Sequence, residues 1–273
     1  MKPFLFLLAL LTVLNCKPKS EPVVENQPEP VKVELNTTKG LIVLELSDKT
    51  PLHRDNFIKI VNEGRLDSML FHRVINDFVV QAGAYDSLKM AKMDSSDLKA
   101  VDYLVPAELD TSLFHKRGAI SAARTDNVER GSAALSFAIV QRGPRSDSLI
   151  TSDEKRINDW LQEYYFIHAE ENKMWKDSLL SAENENNWRQ FNVLKDTIRS
   201  LAKSFEFTPY VIPEHHREVY RTLGGNTHLD QNYTVFGEVI SGMPVVDSIA
   251  AAEVNDRDRP LENIYIISAK VLE

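Results

Sequence analysis

The chain has 273 residues, of which 43% are hydrophobic, and it carries a formal net charge of −8. This acidity argues against a nucleic-acid partner, because a phosphate-binding surface needs clustered lysines and arginines and the sequence contains no such block. The single cysteine excludes a disulfide or a thiolate metal cluster within the chain, so burial of apolar side chains must hold the folded part together.

The N-terminus has the pattern of an export signal. Lys2 precedes an apolar run over Phe4–Leu14 that is too short to cross a bilayer as a helix. Residues Val13–Cys16, with the sequence VLNC, resemble the lipobox of bacterial lipoproteins, in which the cysteine is acylated and becomes the mature N-terminus. We therefore expect a lipoprotein signal peptide over residues 1–15 and lipidation at Cys16. The alternative is a stray thiol beside an ordinary signal peptide.

A tether is predicted over residues 16–30, which contain four prolines and three glutamates. Proline-rich segments extend at about 3.1 Å per residue, so this one could hold the folded part up to roughly 40 Å from a membrane. Lys17 follows Cys16 in place of the Asp that retains many lipoproteins in the inner membrane. This favours a lipid-anchored, periplasm-facing protein of the cell envelope, on the outer membrane more than on the inner.

The folded part is expected to span residues 31–273 and to open with a β-hairpin. Over residues 31–35, apolar side chains alternate with polar ones. The turn-forming stretch Thr37–Gly40 follows, and the apolar run Leu41–Leu46 completes the pair. Thr50 is then expected to cap a helix that begins at Pro51 and is ended by Gly64.

The rest of the chain adds further short strands. Two of them flank the turn-forming pair Asn76-Asp77. Many short strands with few core helices indicate a mainly β fold, either an antiparallel barrel or a sandwich that leaves no long exposed edge. The predicted strands are 70–75, 78–81, 119–122, 136–140, 235–239 and 264–271, with a helix over 244–251.

A helical insertion is predicted at about 146–213. Apolar residues recur at three- and four-residue spacing over Ile157–Ile167 and again over Phe191–Phe205, which gives two amphipathic seams. Pro209 and Pro213 should end the second. An antiparallel helical hairpin is the simplest arrangement.

Two neighbouring segments carry a family resemblance. Phe71–Ile75 (FHRVI) followed by Phe78–Gly83 (FVVQAG) closely resembles the signature of cyclophilin-type peptidyl-prolyl cis-trans isomerases. The resemblance implies a closed eight-stranded antiparallel barrel with two capping helices and an active cleft on its outer surface. Further matches follow in the order of that family at 106–108, 118–123, 136–140, 229–239 and 242–249.

The implied activity is isomerisation of prolyl peptide bonds in exported polypeptides, with no cofactor and no metal. The barrier to rotation is about 18–20 kcal/mol because resonance gives the C–N bond double-bond character. When that resonance is lost, the prolyl nitrogen regains a lone pair, and the guanidinium of Arg73 is the implied donor to it. Gln81 would orient Arg73 and touch the substrate backbone, and Phe78 completes the implied catalytic set.

The resemblance also implies a substrate-binding surface. Val79, Phe137 and Leu229, with Phe78, match the pocket-forming positions of the family, and Tyr233 would close the pocket. The full implied set is His72, Ile75, Val79, Ala123, Ser136, Phe137, Ala138, His228, Leu229 and Tyr233.

Four positions depart from the family pattern. Ser136 replaces a Gln that contacts the substrate backbone, Arg124 replaces an Asn, and His228 stands where some members have Trp. Ala138 replaces an aromatic residue, which removes apolar contact worth about 1.5–3 kcal/mol if fully buried. These departures keep an alternative open, a catalytically weak or inactive lipoprotein that binds peptides or acts as a chaperone.

All three tryptophans, Trp160, Trp175 and Trp188, lie in the insertion. They are expected to pack the helices against each other and the barrel. The alternative is that some are exposed and bind unfolded clients. The pair His215-His216 is not expected to bind metal, because neighbours on a helix point about 100° apart and no third ligand is suitably spaced.

Overall fold

The computed structural model describes residues 29–85, 96–97 and 100–272. The strands are β1 (Lys32–Thr37), β2 (Gly40–Leu46), β3 (Met69–Ile75), β4 (Val79–Tyr85), β5 (Leu104–Val105), β6 (Ala119–Ala122), β7 (Ser132–Ala133), β8 (Phe137–Val140), β9 (Val235–Ser241) and β10 (Tyr265–Leu272). The α-helices are α1 (Pro51–Asn62), α2 (Asp147–His168), α3 (Lys173–Asn184), α4 (Trp188–Ala202), α5 (Glu214–Thr222) and α6 (Met243–Ala250). Short 3-10 turns span Glu170–Asn172 and Thr227–Leu229.

Eight strands close into an antiparallel barrel in the order β1-β10-β3-β4-β8-β6-β9-β2. This confirms the predicted closed eight-stranded barrel, in which every strand has two neighbours and no edge is left unpaired. The hairpin of β1 and β2 turns between Thr37 and Gly40, as the sequence predicts. Strands β5 and β7 pair with each other as a separate two-stranded sheet.

The strand positions agree closely with the sequence prediction. Most boundaries differ by no more than two residues. The largest difference is in β4, which was predicted to end at Gln81 and continues to Tyr85. The two-residue strands β5 and β7 were not predicted, because such short pairings leave no periodic pattern in the sequence.

Helices α1 and α6 close the two ends of the barrel. The Phe57 ring of α1 meets the Phe137 ring edge-on at a centroid distance of 5.3 Å, and its centroid lies 5.3 Å from that of Phe236 at the start of β9. At the other end, Val245 of α6 packs against Gly40, where β2 begins. Both helices therefore contribute side chains to one apolar core inside the barrel.

The predicted cap of α1 is wrong in its detail. The helix does begin at Pro51, but Thr50 makes no side-chain capping hydrogen bond, and its buried hydroxyl lies 3.5 Å from the Val235 carbonyl. The Glu108 carboxylate accepts hydrogen bonds from the backbone N–H groups of Leu52 and His53 instead, each at 3.0 Å. A carboxylate from a distant segment thus satisfies the free donors at this helix N-terminus, where negative charge is also favoured.

The insertion contains three helices, α2, α3 and α4, where the sequence predicts two. The predicted seams are real, since Ile157 and Ile167 of α2 and Phe191 and Ile198 of α4 are buried. The additional helix α3 buries only Leu179 and Ala182 completely, so its apolar pattern is too sparse to stand out in the sequence. Helix α2 also packs against the turn Thr227–Leu229.

The predicted signal peptide, Cys16 and all but the last two residues of the predicted tether lie outside the described residues. Within the part of the chain that the structure describes, no helix has both the length and the hydropathy that a transmembrane span requires.

Candidate active site

Strand register places three of the predicted site residues on the outer surface of the barrel. Arg73 on β3 pairs with Gln81 on β4, and Gln81 pairs with Ala138 on β8. The adjacent row, in which Ala82 pairs with Phe137, belongs to the barrel core. Because successive side chains of a strand point to opposite faces, Arg73, Gln81 and Ala138 share the outer face.

Phe137 does not belong to the pocket that the family resemblance implies. Its side chain is 1% exposed and lies inside the barrel against Phe57. Phe137 and Ala138 are neighbours on one strand and cannot both face the cleft. Phe137 is therefore a core residue, and the position that faces outward is occupied by the small Ala138.

Arg73 lies at the open part of this outer face. Its side chain is 40% exposed, and its Nε atom is 3.4 Å from an oxygen of Asp258. The guanidinium lines a cavity together with Phe78 and Leu229. One weak, solvent-exposed ion pair uses a single one of the five N–H donors of an arginine, so the others can reach a ligand in the cavity.

Gln81, Ser136 and Ala123 form a polar ledge beside Arg73. The Gln81 Nε2 atom donates to the Ser136 hydroxyl at 3.4 Å, and that hydroxyl donates to the Ala82 carbonyl at 3.2 Å. The backbone N–H of Ala123 donates to the Ser136 carbonyl at 2.9 Å. Gln81 was expected to orient Arg73. The hydrogen bond that its side chain makes in the structure goes to Ser136.

The backbone at Gly83 requires the glycine with which the FVVQAG segment ends. Its φ of +131° lies in a region that side chains disfavour, and an added Cβ atom would lie 2.5 Å from the Cα atom of Ser136. The close approach of β4 to Ser136, and with it the Gln81–Ser136 contact, therefore requires glycine at this position.

Phe78 and His228 stack on each other at the edge of the cavity. Their ring centroids are 5.8 Å apart with an interplanar angle of 10°, and the Arg142 guanidinium lies 5.6 Å from the Phe78 ring. Leu229 and Tyr233 line the same cavity, whose volume is about 540 Å³. This volume lies within the range of 300–1,000 Å³ that is typical of sites for small ligands.

The other predicted residues lie around this group with less exposure. Val79 and Ala138 are 3% and 9% exposed, so little of their surface can touch a ligand. Ile75 is half-buried at the end of β3. His72 occupies an irregular position in the pairing of β3 with β4, and burial lowers the pKa of its imidazole.

Arg124 braces the loop that carries Tyr233. Its guanidinium donates to the backbone carbonyl and to the side-chain oxygen of Asn232, at 3.2 and 2.7 Å, and lies 4.7 Å from the Tyr233 ring centroid. The departure from the family pattern at position 124 therefore replaces a short amide with a cation that holds Tyr233 from one side.

A buried polar network supports the same loop and was missed in the sequence. Asp230 accepts hydrogen bonds from the His115 backbone N–H at 2.9 Å and from the Tyr220 hydroxyl at 2.7 Å. Its Oδ1 atom is 2.8 Å from His115 Nδ1, and His115 Nε2 is 3.0 Å from the Ser121 hydroxyl. The members are dispersed over more than a hundred positions, so no local spacing could have indicated them.

This network has the connectivity of a Ser-His-Asp triad but not the accessibility of one. His115, Ser121 and Asp230 are 1%, 4% and 1% exposed, so no substrate carbonyl can approach the hydroxyl. The network instead fixes the start of the loop that follows Leu229. We therefore expect it to position the pocket residues.

The His228 imidazole is predicted to couple folding to acid pH. Burial, followed by the positive charge of Arg156, lowers its pKa from 6.5 to about 3. Between pH 6.5 and pH 3 the unfolded chain binds this proton and the folded chain does not. The free energy of unfolding is therefore unaffected by this group above pH 6.5 and decreases as the pH falls towards 3. Urea unfolding midpoints of the wild type should fall more steeply between pH 7 and pH 4.5 than those of His228→Phe.

The phenyl ring of that variant can still stack on Phe78, so the substitution removes the titrating group and keeps the ring contact. His215→Phe, at an exposed histidine, controls for the loss of a histidine elsewhere. Parallel pH dependences for the wild type and His228→Phe would show that the folded protein accepts this proton readily and would contradict the prediction.

Comparison with known proteins finds relatives over most of the chain. The family model described as "Cyclophilin type peptidyl-prolyl cis-trans isomerase/CLD" matches residues 31–168 and 214–271. The unmatched stretch between them, 169–213, contains α3 and α4. A Staphylococcus epidermidis protein, provisionally named peptidyl-prolyl cis-trans isomerase, is 27% identical over 250 residues, covering 91% of this chain and 95% of its own. A Staphylococcus aureus protein of the same name is 26% identical with the same coverage.

Solved structures show the same fold. A Cryptosporidium parvum cyclophilin type peptidyl-prolyl cis-trans isomerase has a TM-score of 0.51 and 14% identity, with coverage of 89% of this chain and 98% of its own. A second crystal structure of that protein, in the presence of the dipeptide Ala-Pro, has a TM-score of 0.50 and covers 89% and 99% of the two chains.

Proposed function

The chain belongs to the cyclophilin-type peptidyl-prolyl cis-trans isomerases, and we propose that it uses Arg73 to accelerate isomerisation of prolyl peptide bonds in exported polypeptides. A lipid on Cys16 anchors it to a membrane in this proposal. The observation that carries the catalytic part is that Arg73, Phe78 and Leu229 line one cavity. A cation and an apolar surface are thereby presented to the same ligand.

Arg73 supplies the transition-state interaction in this proposal. The prolyl nitrogen becomes pyramidal as the bond twists, and its lone pair can then accept a hydrogen bond that the planar amide cannot. A guanidinium is always charged and its donors lie in a rigid plane, so it can stabilise this lone pair without transferring a proton. No nucleophile takes part, and no covalent bond is made or broken.

The remaining residues hold the substrate while the bond turns. Phe78, Leu229 and Tyr233 provide the surface for the pyrrolidine ring, and the ledge of Gln81 and Ser136 provides hydrogen-bonding partners for the peptide backbone. Ala138 and Phe137 add little apolar surface to this pocket, because the first is small and nearly covered and the second faces the core. We therefore expect a loosely held proline, with weak substrate binding relative to a pocket that has an aromatic floor.

Exchange NMR on a short proline peptide tests the activity directly. Uncatalysed cis-trans exchange takes tens to hundreds of seconds, so cross-peaks between cis and trans resonances at a mixing time below one second require catalysis. We expect such cross-peaks at substoichiometric protein. Shifts of the peptide resonances without exchange cross-peaks would contradict the catalytic proposal and favour a peptide-binding lipoprotein.

The anchor is supported by the sequence VLNC at Val13–Cys16 and by the proline-rich residues that follow. In this proposal the isomerase domain faces the periplasm at a distance from its membrane. Lys17, which follows the cysteine, favours the outer membrane over the inner. Mass spectrometry of the mature N-terminus checks it. An N-terminus other than Cys16, or an unmodified Cys16, would contradict lipidation.

A further inference from the structure

The cavity that contains Arg73 extends from the barrel to the inserted helices. Arg156 and Trp160 of α2 and Lys195 of α4 line it, as does Arg130 from the loop before β7. The proline site and the insertion therefore share one continuous space. A polypeptide whose proline lies near Phe78 would place neighbouring residues against the helices.

The lining of this cavity is strongly basic, although the whole chain is acidic with a net charge of −8. The charged side chains that line it are Arg73, Arg124, Arg130, Arg156 and Lys195, against Asp126 and Glu163. Both acidic residues are already in ion pairs. Asp126 pairs with Lys195, and Glu163 pairs with Arg199 at 2.9 Å. Neither acidic residue forms an ion pair with Arg130 or Arg156.

Arg130 is the buried member of this pair. It is 7% exposed, and its guanidinium donates to the backbone carbonyls of Gln231 and Trp160 at 2.9 and 3.3 Å and lies 3.9 Å from the Tyr164 ring centroid. Within the described chain it forms no ion pair with a carboxylate. Burial lowers its pKa to about 10, so the group keeps its charge at neutral pH. The charge of Glu163 acts on Arg130 as well, but that carboxylate already pairs with Arg199. Burying a cation without an ion pair of its own is costly, and an anionic ligand would relieve that cost.

Arg156 brings the same charge to the rim. Its guanidinium lies 4.7 Å from the Trp160 ring centroid, and it likewise forms no ion pair with a described carboxylate. Arg156 is also close enough to His228 for its charge to lower the pKa of that imidazole. The positive potential of the insertion thus reaches the residue that stacks on Phe78.

We propose that Arg130 and Arg156 form a subsite for a carboxylate side chain, so that the enzyme prefers client segments with Asp or Glu close to the proline. A guanidinium binds a carboxylate through two parallel hydrogen bonds, and the rings of Tyr164 and Trp160 contact the guanidinium groups of Arg130 and Arg156. The inference rests on the proposed function, because it takes the proline to lie near Arg73. Substrate selection is thereby assigned to α2 of the insertion together with the loop before β7.

The test compares matched peptides that differ by one charge. A series of proline peptides carries a single Glu at each position from three before to three after the proline, and a second series carries Gln there. At one or two positions we expect Glu to raise both kcat/KM and affinity about tenfold over Gln, as a charge-assisted hydrogen bond would. The ratio should decrease with added salt.

Two variants identify the subsite. Arg156→Gln and Arg130→Gln should each bring the Glu-to-Gln ratio close to one. Arg156 is exposed, so its variant remains informative if loss of the buried Arg130 impairs folding. Arg189→Gln, at an exposed arginine on α4 that is not among the cavity-lining residues, is the matched control and should keep the wild-type ratio.

The outcomes separate the inference from the function on which it rests. Turnover of the Gln peptides with no preference for Glu at any position would overturn the subsite and leave the isomerase intact. If no peptide were turned over, the affinities alone would decide, because a carboxylate subsite raises binding of the Glu peptide whether or not the bond is isomerised. Equal affinities would then overturn it. A Glu preference that survives Arg156→Gln and a folded Arg130→Gln would overturn it as well.

Discussion

Replacing Arg73 with alanine is expected to lower kcat/KM for prolyl isomerisation by about 10²–10³-fold, the usual effect of removing one transition-state hydrogen-bond donor. The loss arises because Arg73 is the donor that we place at the prolyl nitrogen in the twisted state. The planar ground states gain less from it, so the effect should fall mainly on kcat. The side chain is 40% exposed with one weak ion pair, so the variant should fold with little loss of stability.

A protease-coupled assay on a short proline peptide measures this change. Arg73→Lys keeps the charge but replaces the planar set of donors with a flexible ammonium, and it should recover only part of the rate. Arg189→Ala removes an exposed arginine from α4 and should have the wild-type rate. The thermal unfolding midpoint of each variant establishes that the comparison is between folded proteins.

Equal rates for the wild type and Arg73→Ala would remove Arg73 from the mechanism. Combined with a measurable affinity for proline peptides, that result would favour the alternative in which the domain grips proline-containing segments without useful turnover. A loss that Arg73→Lys reverses completely would indicate that charge alone matters, and the directed hydrogen bond to nitrogen would have to be given up.

The barrel could be predicted because each strand carries its own signal. The alternation over residues 31–35, the turn at Asn76-Asp77 and the glycine of FVVQAG are local features, and local features determine hairpins. Closure of the strands into a barrel, in contrast, came from the family resemblance. Period-two alternation alone does not distinguish a barrel from a sandwich.

The errors in the site have two physical origins. The family resemblance implies a cleft position for Phe137 because a motif match does not decide which of two adjacent strand residues points outward. The pairing of Gln81 with Ala138 does decide it. The cap of α1 and the support of the pocket loop were missed because Glu108 and Asp230 act on residues far away in sequence. Side chains that join distant segments leave no spacing to detect, and only packing brings them together.

Asp230→Ala is expected to destabilise the protein by about 3–5 kcal/mol, the range found when one partner of a buried ionic network is removed. Asp230 is 1% exposed, and its two oxygens serve the His115 backbone, the His115 ring and the Tyr220 hydroxyl. Alanine would leave these groups buried without their partner, which costs more than the hydrogen bonds themselves contribute. Because folded domains are stable by 5–15 kcal/mol, this is a large fraction of the total.

Urea unfolding measures the loss, and two substitutions calibrate it. Asp230→Asn keeps the shape and one acceptor oxygen and should cost less than alanine, whereas Asp256→Ala removes an exposed carboxylate and should change stability by no more than about 0.5 kcal/mol. If the network positions the pocket, folded Asp230→Ala at low temperature should bind proline peptides more weakly, because Leu229 and Tyr233 flank the altered residue. Full affinity in that folded variant would show that the network stabilises the barrel without determining the geometry of the cleft.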